Sequence, residues 1–462
     1  MTLIRSISGI RGTIGGIPKE GLTPVDLVLF STAFSQLLRQ KTGKQKITVV
    51  IGRDARISGP MVSQVVTGTL QGCGVDVKDL GLTTTPTVEM AVTALGADGG
   101  IILTASHNQA EWNALKLLNS AGEFISATDG EELLRIAEGQ DNRYAEVTDL
   151  GSYEFIDGQI EKHIRAILRL ALVDVDAIRK RDFSVVFDSI NSTGGIALPM
   201  LLDALGVRKI WGIHAEPTGL FAHNPEPLPE NLQEIRKVVK ETGADVGFVV
   251  DPDVDRLAMV MENGEFFGEE YTLVAVSDYV LQYKKGNTVS NLSSTRALRD
   301  VTEKYGKQHF ASAVGEVNVV EKMKMVDAVI GGEGNGGVIY PALHYGRDAL
   351  VGIALFLTHL AKSGLSCSQL RSAYPDYFIS KNKIQLGPGI NTEKILNEMA
   401  AKYSEYHLNE VDGLRIDFPG EWVHLRRSNT EPVIRIYAES GSPAMADALA
   451  RKIMDDISRS AC

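Results

Sequence analysis

The sequence predicts an α/β protein: three related α/β domains followed by a smaller α+β domain. Three observations carry that expectation. The chain has 462 residues, more than one hydrophobic core ordinarily fills; at roughly 100–200 residues per domain it divides into about three or four. A strand–loop–helix pattern recurs at comparable spacing, as related domains would show. Beyond Tyr374-Pro375 the pattern changes to short extended segments flanked by helical ones.

The first copy opens at Lys46–Ile51, a β-branched run, and passes through the polar loop Gly52–Gly59. Helical spacing then runs from Met61 to Gly72 and stops at Gly72-Cys73-Gly74, where glycines favour a helix end. The second copy has a strand at Phe183–Phe187, a loop from Asp188 to Gly195 and a helix to Leu205-Gly206. The third has a strand at Thr288–Leu292, the loop Ser293-Ser294-Thr295-Arg296 and a helix to Tyr305-Gly306. In the tail, Tyr377–Leu386 reads as a strand ending at Gly387-Pro388-Gly389, and Asn391–Lys402 as a helix. Gly413–Asp417 and Trp422–Arg426 read as extended, and Ala444–Ser458 as a closing helix, an order suited to a separate α+β domain.

Composition narrows the function classes. With 44% apolar and 23% charged residues the chain is that of a soluble globular protein. A net charge of −11 argues against a nucleic-acid binder or an anionic-membrane binder. Anionic small substrates stay open, because local arginines can form a positive pocket. Cys73, Cys367 and Cys462 make no CxxC motif and read as reduced thiols. The N-terminus lacks a secretory apolar core, and the most apolar run, Ala349–Leu357, is far short of the ~18–20 residues of a membrane span. A cytoplasmic protein is expected.

Four segments carry chemistry. Gly100–Leu103 is an apolar strand that empties into Thr104-Ala105-Ser106-His107-Asn108, a strand-end turn on which a hydroxyl can be presented to a ligand rather than buried. Lys116 follows as a proton-handling amine. Val249-Val250-Asp251-Pro252-Asp253-Val254-Asp255-Arg256 puts three carboxylates at alternate positions after an apolar strand. They repel one another unless something positive sits among them. A hard divalent cation does that, and Mg²⁺ suits a site that also holds phosphate. A calcium EF-hand fails, since Arg256 stands where the sharp turn needs glycine and Leu257–Met261 reads as a strand.

The third segment, Gly331–Gly337, lets backbone approach a ligand closely, with Glu333 and Asn335 able to bond sugar hydroxyls. It is not a P-loop. His344-Tyr345-Gly346-Arg347-Asp348 follows and places His344 as a candidate for the same wall. The fourth, Arg426-Arg427-Ser428-Asn429-Thr430-Glu431-Pro432, joins an arginine fork to short hydroxyl and amide donors, a plausible phosphate cradle. Arg435, shortly after, is grouped with it, and Arg11 and Arg53 are further cationic candidates.

Together these segments resemble the α-D-phosphohexomutases across nearly the whole chain and in the expected order. The motifs are Arg11-Gly12, Thr104–Asn108, the Asp-x-Asp-x-Asp-Arg run 251–256, Gly332-Glu333 with Gly336, and the Arg-x-Ser-x-Thr-x-Pro run 426–432; His223–Pro227 with Pro229–Leu232 is a further similar segment. The resemblance implies a four-domain, heart-shaped enzyme with mixed sheets around a central cleft. Its domains would span 1–150, 151–258, 259–370 and 371–462, each giving one motif loop. It implies that Ser106 carries a phosphoryl group and that Mg²⁺ is held by Asp251, Asp253, Asp255 and a phosphoserine oxygen. Lys116 would act as general acid or base, with Arg256, His107 and Arg11 around the reacting group. Glu333, Asn335 and His344 would meet the sugar, and Arg426, Ser428, Asn429, Thr430 and Arg435 the other phosphate. The substrate implied is a hexose 6-phosphate taken to its 1-phosphate through a hexose 1,6-bisphosphate, by a monomer or homodimer with no nucleic-acid or membrane partner.

Departures bear on the sugar. Gln109 stands where the family usually has proline, and Asn335 and Gly337 replace the serine and histidine of the common sugar loop. Val314-Gly315-Glu316-Val317-Asn318 is closer to phosphoglucosamine mutases than to the Gly-His of phosphomannomutase/phosphoglucomutase members. The glycine loop with Gly346-Arg347-Asp348 is similar to the archaeal-type phosphoglucosamine mutases, and Glu316 beside a 2-amino group would suit glucosamine phosphate. A broad phosphomannomutase/phosphoglucomutase is the alternative. A metal-dependent phosphomonoesterase belongs to another class, and its familiar two-metal forms want more His and Asp ligands than these motifs supply. A silent sugar-phosphate binder sits poorly with intact Ser106, Lys116 and three aspartates.

Overall fold

Four sheets organise the computed structural model, which describes residues 2–6, 9–139, 143–385, 392–427 and 433–460. The first sheet holds β1 (Leu3–Ser6), β2 (Gly9–Thr13), β3 (Ile47–Arg53), β4 (Val75–Leu82), β5 (Gly99–Leu103), β6 (Trp112–Leu118) and β7 (Tyr153–Phe155). Its spatial order is β1-β2-β6-β5-β3-β4-β7. The second holds β8 (Ser184–Asp188), β9 (Lys209–Ile213), β10 (Val246–Val250) and β11 (Leu257–Met261), ordered β11-β10-β8-β9. The third holds β12 (Asn287–Asn291), β13 (His309–Ser312), β14 (Ala328–Glu333) and β15 (Gly337–Ile339), ordered β13-β12-β14-β15.

One four-strand unit is repeated in all three. β3, β8 and β12 each lie between two parallel neighbours, and an antiparallel strand flanks the second neighbour. The repeat seen in the sequence is therefore a repeat of topology. It also fixes where the motif loops fall: the segments after β5, β10 and β14 all connect the last parallel strand to the antiparallel one. The strands form where expected, within one or two residues at each end, because β-branched and aromatic runs fill a buried pleat well. The first sheet runs on to β7 and the second to β11, so the expected boundary at 150 leaves β7 outside the sheet it pairs with, and the one at 258 falls inside β11.

The tail forms an antiparallel sheet of β16 (Phe378–Gln385), β17 (His407–Asn409), β18 (Leu414–Phe418), β19 (Glu421–Arg427) and β20 (Val433–Ser440), ordered β16-β20-β19-β18-β17. The helices Thr392–Lys402 and Pro443–Ser460 supply Ile395, Met399, Leu449 and Ile453 to its core. The α+β expectation holds for this domain.

The first and last domains have their own cores, whereas the second and third share one. The shared core centres on the helix Ala349–Ser363, buried from Ala349 to Leu360, where Phe356 meets Phe248 and Phe267 edge-on. A helix apolar all round must be covered on all sides, and here two domains cover it. Among the described residues no helix is long and apolar enough to cross a membrane. Cys73 and Cys367 are buried thiols without a disulfide.

The last domain docks on the third through polar contacts. Arg415 donates to Leu292 O at 2.6 Å, Val314 N–H to Asp412 Oδ2 at 2.9 Å, and Arg296 N–H to Glu439 Oε1 at 3.1 Å. His424 bridges the two domains, its Nδ1 2.9 Å from Ser293 Oγ and its Nε2 2.6 Å from Asp412 O.

Candidate active site

All four sheets face one cleft of about 1020 Å³, lined by the segments around Ser106, Arg256, Glu333 and Arg426. Ser106 sits just past β5 in a left-handed conformation, φ 49°, which is uncommon for a residue with a side chain. Its N–H donates to Thr104 Oγ1 at 2.9 Å and its Oγ to Asp251 Oδ2 at 2.8 Å. Arg56, fully buried, explains how this turn is held. Its guanidinium pairs with Asp54 at 2.9 Å and donates to the carbonyls of Ser106, Asn108, Gln109 and Trp112. One rigid five-donor fork thus gathers four loop carbonyls. Gln109 occupies one of those positions through its carbonyl, so the exchange of proline for glutamine there leaves the loop anchored.

Asp251, Asp253 and Asp255 lie fully buried in the turn between β10 and β11, with one oxygen of each within 4.8 Å of the others. Asp251 Oδ1 accepts from the N–H groups of Asp255 and Arg256, both at 3.1 Å, and Thr85 donates to Asp253 Oδ2 at 2.6 Å. Burial first, then the charges of Asp255 and Asp253, push the Asp251 carboxyl well above its ordinary range. Burial also disfavours the Asp255 charge, yet Arg347, Lys116 and Arg256 hold that carboxyl well below it. Asp253 Oδ1 and Asp255 Oδ1 have no hydrogen-bond partner. Three buried carboxylates with two orphaned oxygens make an all-oxygen donor set that fits a hard divalent cation such as Mg²⁺.

Lys116, on β6, lies 2.7 Å from Asp253 Oδ2 and 3.4 Å from Asp255 Oδ2. Burial would lower its pKa, but these two carboxylates more than offset that and raise it. His107 and Arg256 line the same part of the cleft, with His107 Nδ1 3.4 Å from Ser106 Oγ. The structure brings Ser106, His107, Lys116 and Arg256 together in one cleft.

The glycine loop 331–337 packs directly on the aspartate loop 251–256. Leu257 N–H donates to Gly336 O at 3.0 Å, and a Cβ at Gly336, φ 85°, would sit 2.3 Å from Leu257 O. That approach requires glycine. Glu333 is already engaged: Oε1 accepts from Asn291 at 2.8 Å and Gly315 N–H at 3.1 Å, Oε2 from Arg347 at 2.8 Å. Asn335 lines the cleft with its Oδ1 unpartnered, available to a ligand.

Arg347 is the residue whose weight the sequence does not reveal. Buried, it forms ion pairs with Asp255 at 2.7 Å, Glu333 at 2.8 Å and Glu316 at 2.9 Å. It joins the aspartate loop, the glycine loop and the helix Glu316–Met325 through one planar fork. This corrects two expectations. Glu316 lines the cleft, but its carboxylate accepts from the backbone and side chain of Arg347, so it is not an unpaired charge awaiting an amino group. His344 does not line the cleft: Glu89 Oε2 and Asp348 Oδ2 each lie 3.3 Å from one of its ring nitrogens. Burial alone would lower its pKa; these two carboxylates raise it to about 10.

At the opposite wall Arg426, Arg427 and Arg435 come from the neighbouring strands β19 and β20, and Arg11 from β2. Arg426 Nε lies 2.8 Å from Asp412 Oδ2. Arg11 is different: burial and the like charge of Arg435 lower its pKa, and its Nε has no hydrogen-bond partner. Among the described residues neither Arg11 nor Arg435 is in an ion pair, and two such guanidinium groups make a ready anion site. Ser428, Asn429 and Thr430 lie outside the described residues.

Comparison with known proteins agrees with this geometry. The phosphoglucomutase/phosphomannomutase family matches as alpha/beta/alpha domains I, II and III at residues 4–144, 161–264 and 268–377, and as the C-terminal domain at 390–456. A phosphoglucomutase/phosphomannomutase of Thermococcus kodakarensis is 36% identical, covering 94% of this chain and 95% of that protein. A phosphoglucosamine/phosphogalactosamine mutase of Sulfurisphaera tokodaii is 32% identical, covering 96% and 97%. The crystal structure of a phosphoglucomutase/phosphomannomutase family protein from Burkholderia thailandensis superimposes with a TM-score of 0.83 at 27% identity, covering 99% of this chain and 96% of that one. With all four domains in order and the carboxylate triad facing a buried serine, the chain belongs to the phosphoglucomutase/phosphomannomutase family of phosphohexomutases, which are isomerases.

Proposed function

We propose that this enzyme interconverts hexose 6-phosphates and hexose 1-phosphates through a phosphoryl group carried on Ser106, with glucosamine phosphate preferred. The observation that carries the reading is the 2.8 Å hydrogen bond from Ser106 Oγ to Asp251 Oδ2. It aims the hydroxyl from a cleft large enough for a hexose bisphosphate to turn over into the carboxylate triad buried beneath it. In the first half-reaction a substrate hydroxyl oxygen bonds to phosphorus while the bond from phosphorus to Ser106 Oγ breaks, giving a hexose 1,6-bisphosphate. The bisphosphate reverses its orientation, and its other phosphoryl group passes back to Ser106 Oγ.

Residues of this chain position the reaction. Lys116 moves the proton between the substrate hydroxyl and the Ser106 oxygen. Arg256 and His107 line the reacting end, and Arg256 offsets charge on the phosphoryl oxygens. Asn335 and Glu333 meet the sugar hydroxyls, while Arg426, Arg435 and Arg11, with Ser428, Asn429 and Thr430, grip the phosphate that is not reacting. Mg²⁺ bound by Asp251, Asp253, Asp255 and a phosphoserine oxygen would supply further positive charge there.

The preference for glucosamine phosphate rests on the segment 314–318 and on the phosphoglucosamine mutases among the relatives. One observation favours the broader phosphomannomutase/phosphoglucomutase reading: Arg347 occupies the Glu316 carboxylate. Phosphorus NMR of the enzyme with Mg²⁺, a trace of hexose 1,6-bisphosphate and glucosamine, glucose or mannose 6-phosphate separates the two. Fast conversion of glucosamine phosphate alone supports the preference; equal conversion of all three overturns it. Steady release of inorganic phosphate would overturn the mutase reading itself.

A further inference from the structure

A second cluster, remote from the triad in sequence, gathers at the end of β8. Asp188 is buried there, and His214 Nδ1 lies 3.2 Å from both of its carboxylate oxygens. His223 Nε2 lies 3.1 Å from Asp188 Oδ2. The two rings stand edge to face with centroids 5.4 Å apart. The geometry points to a binding site for a borderline divalent transition ion of the Zn²⁺ type, held by His214 Nδ1, His223 Nε2 and Asp188.

The orientation of the far ring nitrogens carries this reading. His223 Nδ1 lies 2.8 Å from the backbone carbonyl of Asn224, and His214 Nε2 lies 3.3 Å from Glu234 Oε2. Each ring therefore spends its outer N–H on an acceptor and turns its other nitrogen toward one shared carboxylate. That is how metal-binding histidines are oriented, with the second nitrogen donating to a carbonyl or carboxylate. Either both rings carry a second proton that pairs with Asp188 or one divalent cation stands between them, and a single cation satisfies both inner nitrogens at once.

The spacings agree. Bonds of about 2.0–2.1 Å from a tetrahedral ion place ligand atoms roughly 3.3–3.4 Å apart, close to the 3.1–3.2 Å found here. A charge-assisted hydrogen bond draws in to about 2.7–2.9 Å, and His214 Nδ1 instead stands equally far from both oxygens. Two imidazoles with one carboxylate select such an ion over Mg²⁺, which prefers all-oxygen sites. The backbone holds the ligands in place: His214, Ile190 and Asn191 all adopt left-handed φ, at 47°, 49° and 53°. For the β-branched Ile190 that conformation is costly.

Filling the site would clamp the loop from His214 to Asn231 onto the second domain. The loop lays Phe221 over the Arg56 guanidinium, 5.1 Å from ring centre to Cζ, and presents Glu226 to the cleft. Arg56 in turn gathers the Ser106 loop. The ion is thus a clamp on the cover of the serine turn, and its existence does not depend on which sugar the enzyme takes.

The test uses the full chain, stripped with a chelator, then saturated with Mg²⁺ to fill the all-oxygen triad and titrated with Co²⁺ as an optical probe. The expected result is one equivalent of Co²⁺ with visible ligand-field bands of a nitrogen-bearing site, absent from His223→Ala and from His214→Gln. Zn²⁺ should raise the melting temperature of the parent protein by a few degrees and leave both variants unmoved. Matching melting curves in chelator show that the variants fold. Absence of the bands in the parent, or equal Co²⁺ uptake by parent and variants, would overturn the site and leave two imidazolium–carboxylate pairs.

Discussion

The turn after β10 and the turn after β14 occupy the same place in the same strand order, and they solve opposite problems. After β10, three aspartates are buried with Asp253 Oδ1 and Asp255 Oδ1 unpartnered. After β14, Glu333 is equally buried, yet Asn291, Gly315 and Arg347 satisfy both of its oxygens. The first turn leaves carboxylate oxygens for a cation; in the second the carboxylate is satisfied within the protein, and it is the neutral Asn335 Oδ1 that is left unpartnered. Fold position sets where a loop points, and the pairing of its side chains decides whether it is left with bare carboxylate oxygens or with a neutral amide. Arg347 joins the two, because one guanidinium serves Asp255 and Glu333 together.

The sharpest way to break this contrast is to remove Arg347. Arg347→Met leaves Asp255, Glu333 and Glu316 without their shared partner. Loss of a buried partner costs about 3–5 kcal/mol, so chemical denaturation should show that drop, together with near-complete loss of turnover. Arg347→Lys should rescue little, since an ammonium cannot serve three carboxylates through a planar fork. A variant with near-normal stability would mean that the two turns are not coupled.

Asp253→Asn and Glu333→Gln should then separate the two turns. Asp253→Asn is expected to weaken Mg²⁺ binding at least about 100-fold by calorimetry while sparing the metal-free fold. Glu333→Gln should leave Mg²⁺ affinity unchanged and cost about 1.5–3 kcal/mol of stability through the lost charge-assisted bond. Reversal of those outcomes would exchange the roles assigned to the turns.

Much of this contrast is legible in the sequence. Alternating aspartates after an apolar strand announce a buried charge problem, and the strand–loop–helix repeat announces equivalent positions. The partners are not legible. Arg56 and Arg347 both stand in segments that read as polar loops, but their importance comes from carbonyls and carboxylates brought together from far along the chain. The position of His344 is hidden for the same reason: its spacing from Glu333 suggests a shared wall, while Glu89 and Asp348 hold it outside the cleft lining. Arg11 was visible as a candidate, and only the approach of Arg435 shows why it matters.

A smaller effect concerns the seam between the third and fourth domains. Burial pushes the His424 ring down to about 4, although Asp412 favours the charged form. The unfolded ring titrates near 6.5. Between those values the unfolded state binds the proton and the folded state does not. Stability is therefore present above about pH 6.5 and lost as pH falls toward 4, by on the order of 3 kcal/mol. His424→Gln should flatten that part of the pH–stability curve in denaturant titrations; an unchanged curve would place the acid sensitivity elsewhere. The smallest effect is expected for His344→Gln, whose KM for sugar phosphate should move less than about threefold because the ring does not line the cleft. A tenfold rise would restore His344 to the sugar wall.

The most direct test of the central claim is where phosphate resides on the enzyme. Intact-mass and peptide-level mass spectrometry after brief exposure to hexose 1,6-bisphosphate and Mg²⁺ should find one phosphoryl group, on Ser106, that discharges onto added hexose monophosphate. Ser106→Ala should carry none and lose turnover by at least about a thousandfold. A stoichiometric phosphate on another residue, or turnover by Ser106→Ala, would contradict the account.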